Sequence, residues 1–270
     1  MTANTLQILT PSTLGPRDLL NELLNRERVL TLYALLMLAA MIPTLVLAVV
    51  DERTLREVGI WAKPLKFMAS TALFALTTAW FMGLLPQARR NAPVSRAVVW
   101  TLVWTSLFEV AYISLQAALG APSHYNFADP FHAAMFALMG LAAVLLTGTQ
   151  GVLAWLIYRH CVQRPLPVAT KAVLAGLVLT FVLSTVSGFM LGGQQPPAGS
   201  GLPIAGWHLG GGDLRPAHFV GVHAQQLIPL AGLLLQRHLS VFAAPGLWLV
   251  TGAYVAGWVL LARFGMPVAL

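Results

Sequence analysis

The sequence predicts an all-α, polytopic membrane protein: a bundle of seven transmembrane helices with short loops and one longer Gly/Pro-rich loop. Three observations carry that expectation. Only 9% of the 270 residues are charged while 57% are hydrophobic, against about 25% charged in a soluble domain. So few charges cannot make a water-facing surface, and most of the protein must meet lipid. Seven apolar runs approach or exceed the roughly 20 residues that a helix needs to cross a bilayer. The connections between them collect most of the Lys and Arg residues.

The runs lie near 29–50, 64–86, 96–120, 130–158, 171–191, 217–237 and 242–264. Residues 1–28 form an N-terminal segment without the basic start and apolar core of a cleaved signal. Within it, Asp18 to Arg28 reads as an amphipathic helix on the membrane surface, with Leu19, Leu20, Leu23 and Leu24 on one side. Pro64 opens the second run and Pro86 follows it. Asp129 and Pro130 read as an N-cap and first-turn proline for the fourth. The break near Leu239, between the last two runs, is the weakest boundary. Residues 192–216 are too long for a simple connector and are expected to fold back as a lid. No internal repeat is visible, so symmetry gives no support to an inverted-repeat architecture.

Ten of the sixteen Lys and Arg residues fall on the side of the N-terminus. The six on the other side become four if Lys63 and Lys66 belong to a helix. Basic connections stay in the cytoplasm, which predicts the N-terminus inside and the C-terminus outside a bacterial cytoplasmic (inner) membrane. The formal charge of +7 thus reads as topology and headgroup contact, with no nucleic-acid footprint. A single cysteine, Cys161, excludes an intrachain disulfide, a CxxC pair and a thiolate zinc cluster. Walker, HExxH, GxGxxG and CxxCH motifs are absent.

Glu109 is the most informative residue, because it is the only acidic group in the middle of an apolar run. A carboxylate in hydrocarbon must be paired, hydrogen-bonded or protonated. At 100° per residue, Thr105, Glu109, Tyr112 and Gln116 fall within about 60° of one another, a polar stripe that should face inward. An internal network that only locks helices together would look the same. Lys63, Lys66, Ser70 and Thr77 make a second stripe. Lys63 is expected to snorkel to the headgroups; Lys66, deeper, is expected to reach inward towards Glu109 or an anionic ligand. Glu109, Lys66 and Gln116 are the candidate catalytic residues.

Histidines gather on the outer side. His124 stands in the loop Ser123–Asn126, His132 in the first turn of the fourth run, and His218 and His223 in the sixth behind Asp213 and Arg215. The candidate metal ligands are His124, His132, Asp213, His218 and His223, for zinc, copper or iron. The candidate cofactor-binding set is His218, His223 and Arg215; with haem b, imidazoles would be axial ligands and Lys66 or Arg215 would meet the propionates. A spacing of five sets His218 and His223 about 140° apart on a regular helix, so sharing one metal requires a distortion. A core histidine bonded to a neighbouring helix is the plainer reading of His223. His160 and His238 read as interface residues. Ala172, Gly176, Thr180, Ser184 and Gly188 form a ladder that close helix packing explains.

In helix number and residue types the chain resembles seven-helix membrane hydrolases of the ceramidase and progestin-receptor type, which bring a serine, an aspartate and histidines to one zinc. It departs from them in lacking HxxxH in the last helix, which leaves membership without support. No lysine stands in the last run for a rhodopsin-type Schiff base. The leading expectation is a metal- or haem-dependent membrane enzyme with a polar, histidine-containing pocket open to the outside. The alternative is a small-solute or proton-coupled transporter using Glu109, and a third is a structural or accessory subunit. The expected partners are the lipid bilayer and a lipophilic or small anionic ligand.

Overall fold

The computed structural model describes residues 15–161, 165–199, 201–203 and 205–266. Arg164, counted above with the basic connections, and residues 1–14 of the N-terminal segment lie outside the described residues. Among the rest, α1 is Pro16–Arg26, a short helix with proline in its first turn, Asp18 near its start and Arg26 at its end. Those charges suit the helix dipole. Its apolar side does not stop at lipid: Leu23 is buried and Leu19 packs against the main core. Arg26 bonds Glu22 at 2.8 Å and the Trp80 carbonyl at 2.9 Å, with its guanidinium 3.7 Å from the Trp80 ring centroid.

The spans follow as α2 (Arg28–Val50), α3 (Ala62–Met82), α5 (Pro93–Ala118), α6 (Pro130–His160) and α7 (Val168–Gly192), with the short α4 (Gln87–Arg90) before α5. The last part of the chain forms α8 (Arg215–Val222), α9 (Ala224–His238), a 3-10 turn (Ser240–Phe242) and α10 (Ala243–Gly265). Among the described residues six helices are long and apolar enough to cross a membrane, and α8 with α9 makes a seventh if the bent pair is one span. Large apolar side chains lie bare on their outer faces, Val49 at 82% and Leu249 at 76% exposure. Only hydrocarbon accepts such a surface at low cost, so the chain is an integral membrane protein.

Most span ends fall within three residues of the sequence expectation, and two departures have a structural cause. The second span starts at Ala62 rather than 64 and ends at Met82, because the preceding connection is a tight hairpin, Thr54–Leu55 against Val58–Gly59. Its central residues Arg56 and Glu57 have φ of 54° and 66°, as a type I′ turn requires. The larger departure is in the sixth run, which bends by 56° between α8 and α9. Asp129 does cap α6, accepting from the His132 amide at 2.9 Å.

The bend is built rather than incidental. His223 sits at φ −94°, ψ 9°, outside the helical well, and Pro229 has no N–H for a bond back to Gln225. The backbone groups this releases find partners on other helices. The Thr180 hydroxyl of α7 accepts from the Gln225 amide at 2.9 Å and donates to the Val222 carbonyl at 3.4 Å. The Tyr254 hydroxyl of α10 donates to the Val220 carbonyl. Small residues let α7 come close enough: a Cβ at Gly176 would stand 2.9 Å from the Ala224 carbonyl oxygen and from Pro229 Cδ. At Gly221 it would stand 2.8 Å from the Ser184 amide nitrogen. The ladder on α7 therefore packs as expected, and it also completes the broken helix.

A direct consequence can be measured. Gly221→Ala forces backbone apart and is expected to cost about 1–3 kcal/mol, read as a lower melting temperature in detergent. Gly257→Ala, where nothing lies within 4 Å, should be neutral or slightly stabilising through helix propensity. Equal melting of the two variants would contradict the close packing at the bend.

Candidate functional site

Two polar stripes face one another along the bundle, starting from the end that carries the 193–214 segment. On α3 they are Lys66, Ser70 and Thr77, spaced to share a helical face. Opposite them, Arg215, Phe219 and His223 follow one another at four-residue spacing along α8, and Gln226 continues in α9. The Ser70 hydroxyl lies 3.4 Å from His223 Nε2. Gln226 Nε2 donates to the Thr77 hydroxyl at 3.1 Å, and its Oε1 lies 3.3 Å from His223 Nδ1. Lys66 Nζ donates to the Ala205 carbonyl at 3.1 Å, and Arg215 Nη2 to the Gly206 carbonyl at 2.7 Å. The stripes thus run from the 193–214 segment down to Thr77. That residue is fifteen positions into α3, about 22 Å along the helix.

The 193–214 loop is tied over the near end of these stripes. Arg56 Nη2 donates to the Pro196 carbonyl at 2.6 Å, and Gln194 Nε2 donates to the carbonyls of Gly212 and Gly265 at 2.7 and 2.9 Å. Asp213 anchors its far end, receiving Arg215 Nε and Nη2 and the His208 amide. Burial alone would raise the Asp213 carboxyl, but those bonds outweigh it and hold it below the usual carboxylate range. The Trp207 ring lies 5.1 Å from Phe219, which lies 4.2 Å from His223. A shallow groove on the loop is formed by Leu202, Trp207, His208 and the neighbouring glycines, without any residue of the helix stripes.

A second polar group joins α3 to α5 and the 119–129 loop. Lys63 Nζ donates to the Ser123 hydroxyl at 2.9 Å and to His124 Nδ1 at 3.0 Å. It is also the positive group that acts on Glu109. Glu109 is 9% exposed, and no hydrogen bond or ion pair reaches its carboxyl among the described residues. On the same face of α5, Tyr112 and Gln116 are buried, with Gln116 Nε2 donating to the Tyr112 hydroxyl at 2.8 Å. Thr105 turns its hydroxyl back to the Thr101 carbonyl and does not extend the network. Lys63 therefore does not snorkel to the headgroups as expected but turns to Ser123 and His124, while Lys66 meets the loop at Ala205. The physical reason is that the 119–129 loop folds over the start of α3 and shields Lys63 from the headgroups.

His124 links the two groups, since it feels the charges of both Lys63 and His218. Burial first, and then those charges, hold its imidazole well below the ordinary histidine range. It is therefore neutral and accepts from Lys63. The unfolded chain takes up a proton at this histidine below about pH 6.5, and the folded one does not. Stability from this group is thus complete above about 6.5 and falls as the pH drops below it. Melting in detergent should decline between about pH 6.5 and 5, and His124→Asn should flatten that decline. An unchanged slope would contradict the burial of His124.

The expected metal ligands do not converge. Among the described residues no group of three or more His, Cys, Asp or Glu side chains is placed to hold a metal ion. His132 pairs with Asp129 at 2.7 Å at the start of α6, and Asp213 is taken by Arg215. His218 Nδ1 lies 3.1 Å from the Ser187 hydroxyl of α7, and the ring nitrogens of His223 meet Ser70 of α3 and Gln226 of α9. Ser123, Ser187 and Thr180 were not singled out for these contacts from sequence, because serine and threonine in apolar helices most often bond their own backbone.

Comparison with family models, with curated proteins and with solved structures finds no match. The class is defined by the fold and the site alone: a helical integral membrane protein with a broken helix facing a polar stripe inside the bundle.

Proposed function

We propose that the chain is a seven-span transporter of the cytoplasmic membrane that carries a small solute together with protons. The observation that supports this most is the pair of facing stripes, which meet at the bend of α8 and α9 and continue to Thr77, five residues from the inner end of α3. An active site open to one side needs polar groups only near that side, whereas a route needs them along the bundle. Discontinuous helices at mid-membrane are a common way to expose backbone groups to a solute. The metal-enzyme reading needs histidines and Asp213 at one point, and no such group stands among the described residues.

In this mechanism Glu109 holds the coupled proton. Ionised, it is balanced by the Lys63 ammonium; protonated, it leaves Lys63 to its bonds with Ser123 and His124. Neutral His124 passes the change on towards His218 and His223, which line the solute path with Ser70 and Gln226. The N-terminus is cytoplasmic, from the bias of Arg and Lys. Reporter fusions after Leu270 and within 192–216 should both report the outer side, and a cytoplasmic signal from either would overturn that orientation. Transport is tested in liposomes loaded with a pH dye, with organic acids, amino acids and sugars added outside. Lumen acidification on adding one solute class is the expected result. Proton flux unaffected by every solute would contradict the coupling.

A further inference from the structure

We infer that the carried solute is a small oxyanion, a carboxylate or phosphate, gripped by Lys66 and Arg215 beneath the 205–208 segment. This rests on the transport reading for its direction of travel, but the binding it requires can be measured alone.

The charges around the outer end of the stripes do not balance. Three cations gather there beneath the loops, Lys63 at Ser123, Lys66 at Ala205 and Arg215 at Gly206. Two carboxylates answer them. Asp213 is saturated, since Arg215 Nε, Arg215 Nη2 and the amides of His208 and Arg215 all reach it within 3.1 Å. Glu109 faces Lys63. Lys66 is left with no carboxylate at ion-pair distance among the described residues. Its bond to the Ala205 carbonyl uses one of three ammonium protons and brings no compensating charge.

Lys66 and Arg215 hold adjacent carbonyls of the same segment, Ala205 and Gly206, so their heads lie side by side. Asp213 balances Arg215, so the half-buried Lys66 ammonium beside it is the charge that an anion would answer. Oxyanions match what is left of these donors, the ammonium as a point charge and the Arg215 guanidinium through Nη1, since its Nε and Nη2 hold Asp213 and Gly206. Ser70 and His223 lie one turn below as neutral partners, and Trp207 with Phe219 makes an apolar wall beside them. A cationic solute would meet repulsion at the same place. The choice also fits proton coupling: an anion entering a negative interior moves uphill electrically, and a proton carried on Glu109 cancels that charge.

The alternative is that Lys66 and Arg215 only pin the loop. To separate the two, purified protein in nonionic detergent is titrated with acetate, lactate and inorganic phosphate while tryptophan fluorescence is followed. At least one anion should give a saturable change. Lys66→Gln should weaken it about tenfold or more, as expected for loss of a charge-assisted bond, and Lys66→Arg should keep most of it. Lys171→Gln, at the opposite end of the bundle, should bind like the parent.

No saturable response to any of the three anions would overturn the proposal. So would equal binding by the parent and Lys66→Gln, even if that variant melts earlier. Repeating the titration with phosphatidylglycerol vesicles tests a headgroup as the source; a Lys66-dependent response to these alone overturns a soluble solute. Anion binding without proton flux would support the site and remove transport. Proton flux driven by a neutral solute with no anion effect would remove the anion and leave transport standing.

Discussion

Glu109→Gln is expected to fold, insert and melt like the parent protein yet to lose solute-driven proton flux, by about a hundredfold or more if the carboxyl is the only coupled group. The amide keeps shape and hydrogen-bonding capacity and removes titration alone. Few carboxylates have less to hold them structurally. Glu109 sits nine residues from the C-terminal end of α5, about 14 Å along the helix, with the Lys63 charge as its counterpart and no hydrogen bond from the described residues. If its role were to lock helices together, the change to Gln would be silent in every flux assay. Glu109→Leu should be worse for folding, because the Lys63 ammonium would then be shielded without a counter-charge. A Gln variant with normal flux would remove the coupling role from this residue.

Thr180→Val should produce the largest loss of stability among single-atom changes in the bundle. One hydroxyl serves both sides of the bend, accepting from Gln225 and donating to Val222, and no water is at hand in the membrane to replace it. Leaving both backbone groups unmet should cost about 1–3 kcal/mol, the range for a buried polar group without a partner, tempered by the modest values typical of membrane interiors. Thr180→Ser keeps the hydroxyl and should restore most of the loss. Flux should fall along with stability, because His223 takes its place between Ser70 and Gln226 from the same bend. A Val variant that melts like the parent would mean that the break is held elsewhere.

The spans were legible because a bilayer imposes a length and a composition that no loop satisfies. The capping of α6 was legible too, since Asp129 and Pro130 act within one turn of their own positions. The bend was not. Glycine and proline are frequent in membrane helices, and what makes this pair a break is Thr180 and Tyr254, more than thirty residues away on either side. The same distance effect hid the surroundings of Lys63, which a loop sixty residues later covers. Glu109, Tyr112 and Gln116 were legible as one inward face because helical periodicity is local. The proposed ligand set joined residues by side of the membrane alone. His132 and Asp213 each had a partner within three residues that satisfied it first.

The central claim is that the stripes on α3, α8 and α9 line a route that water can enter, and cysteine accessibility tests it most directly. Cys161 is the only cysteine, so Cys161→Ser gives a clean background for single cysteines at Ser70, Thr77 and Gln226, with Leu249 of α10 as a lipid-facing control at 76% exposure. A charged, membrane-impermeant thiol reagent applied to liposomes should modify Ser70→Cys and Thr77→Cys, more slowly at the deeper site, and the anion that binds should protect Ser70→Cys. Leu249→Cys should stay unmodified. If Ser70→Cys and Thr77→Cys are as inert as Leu249→Cys from both sides of the membrane, the stripes are a dry internal network and the transport account is wrong.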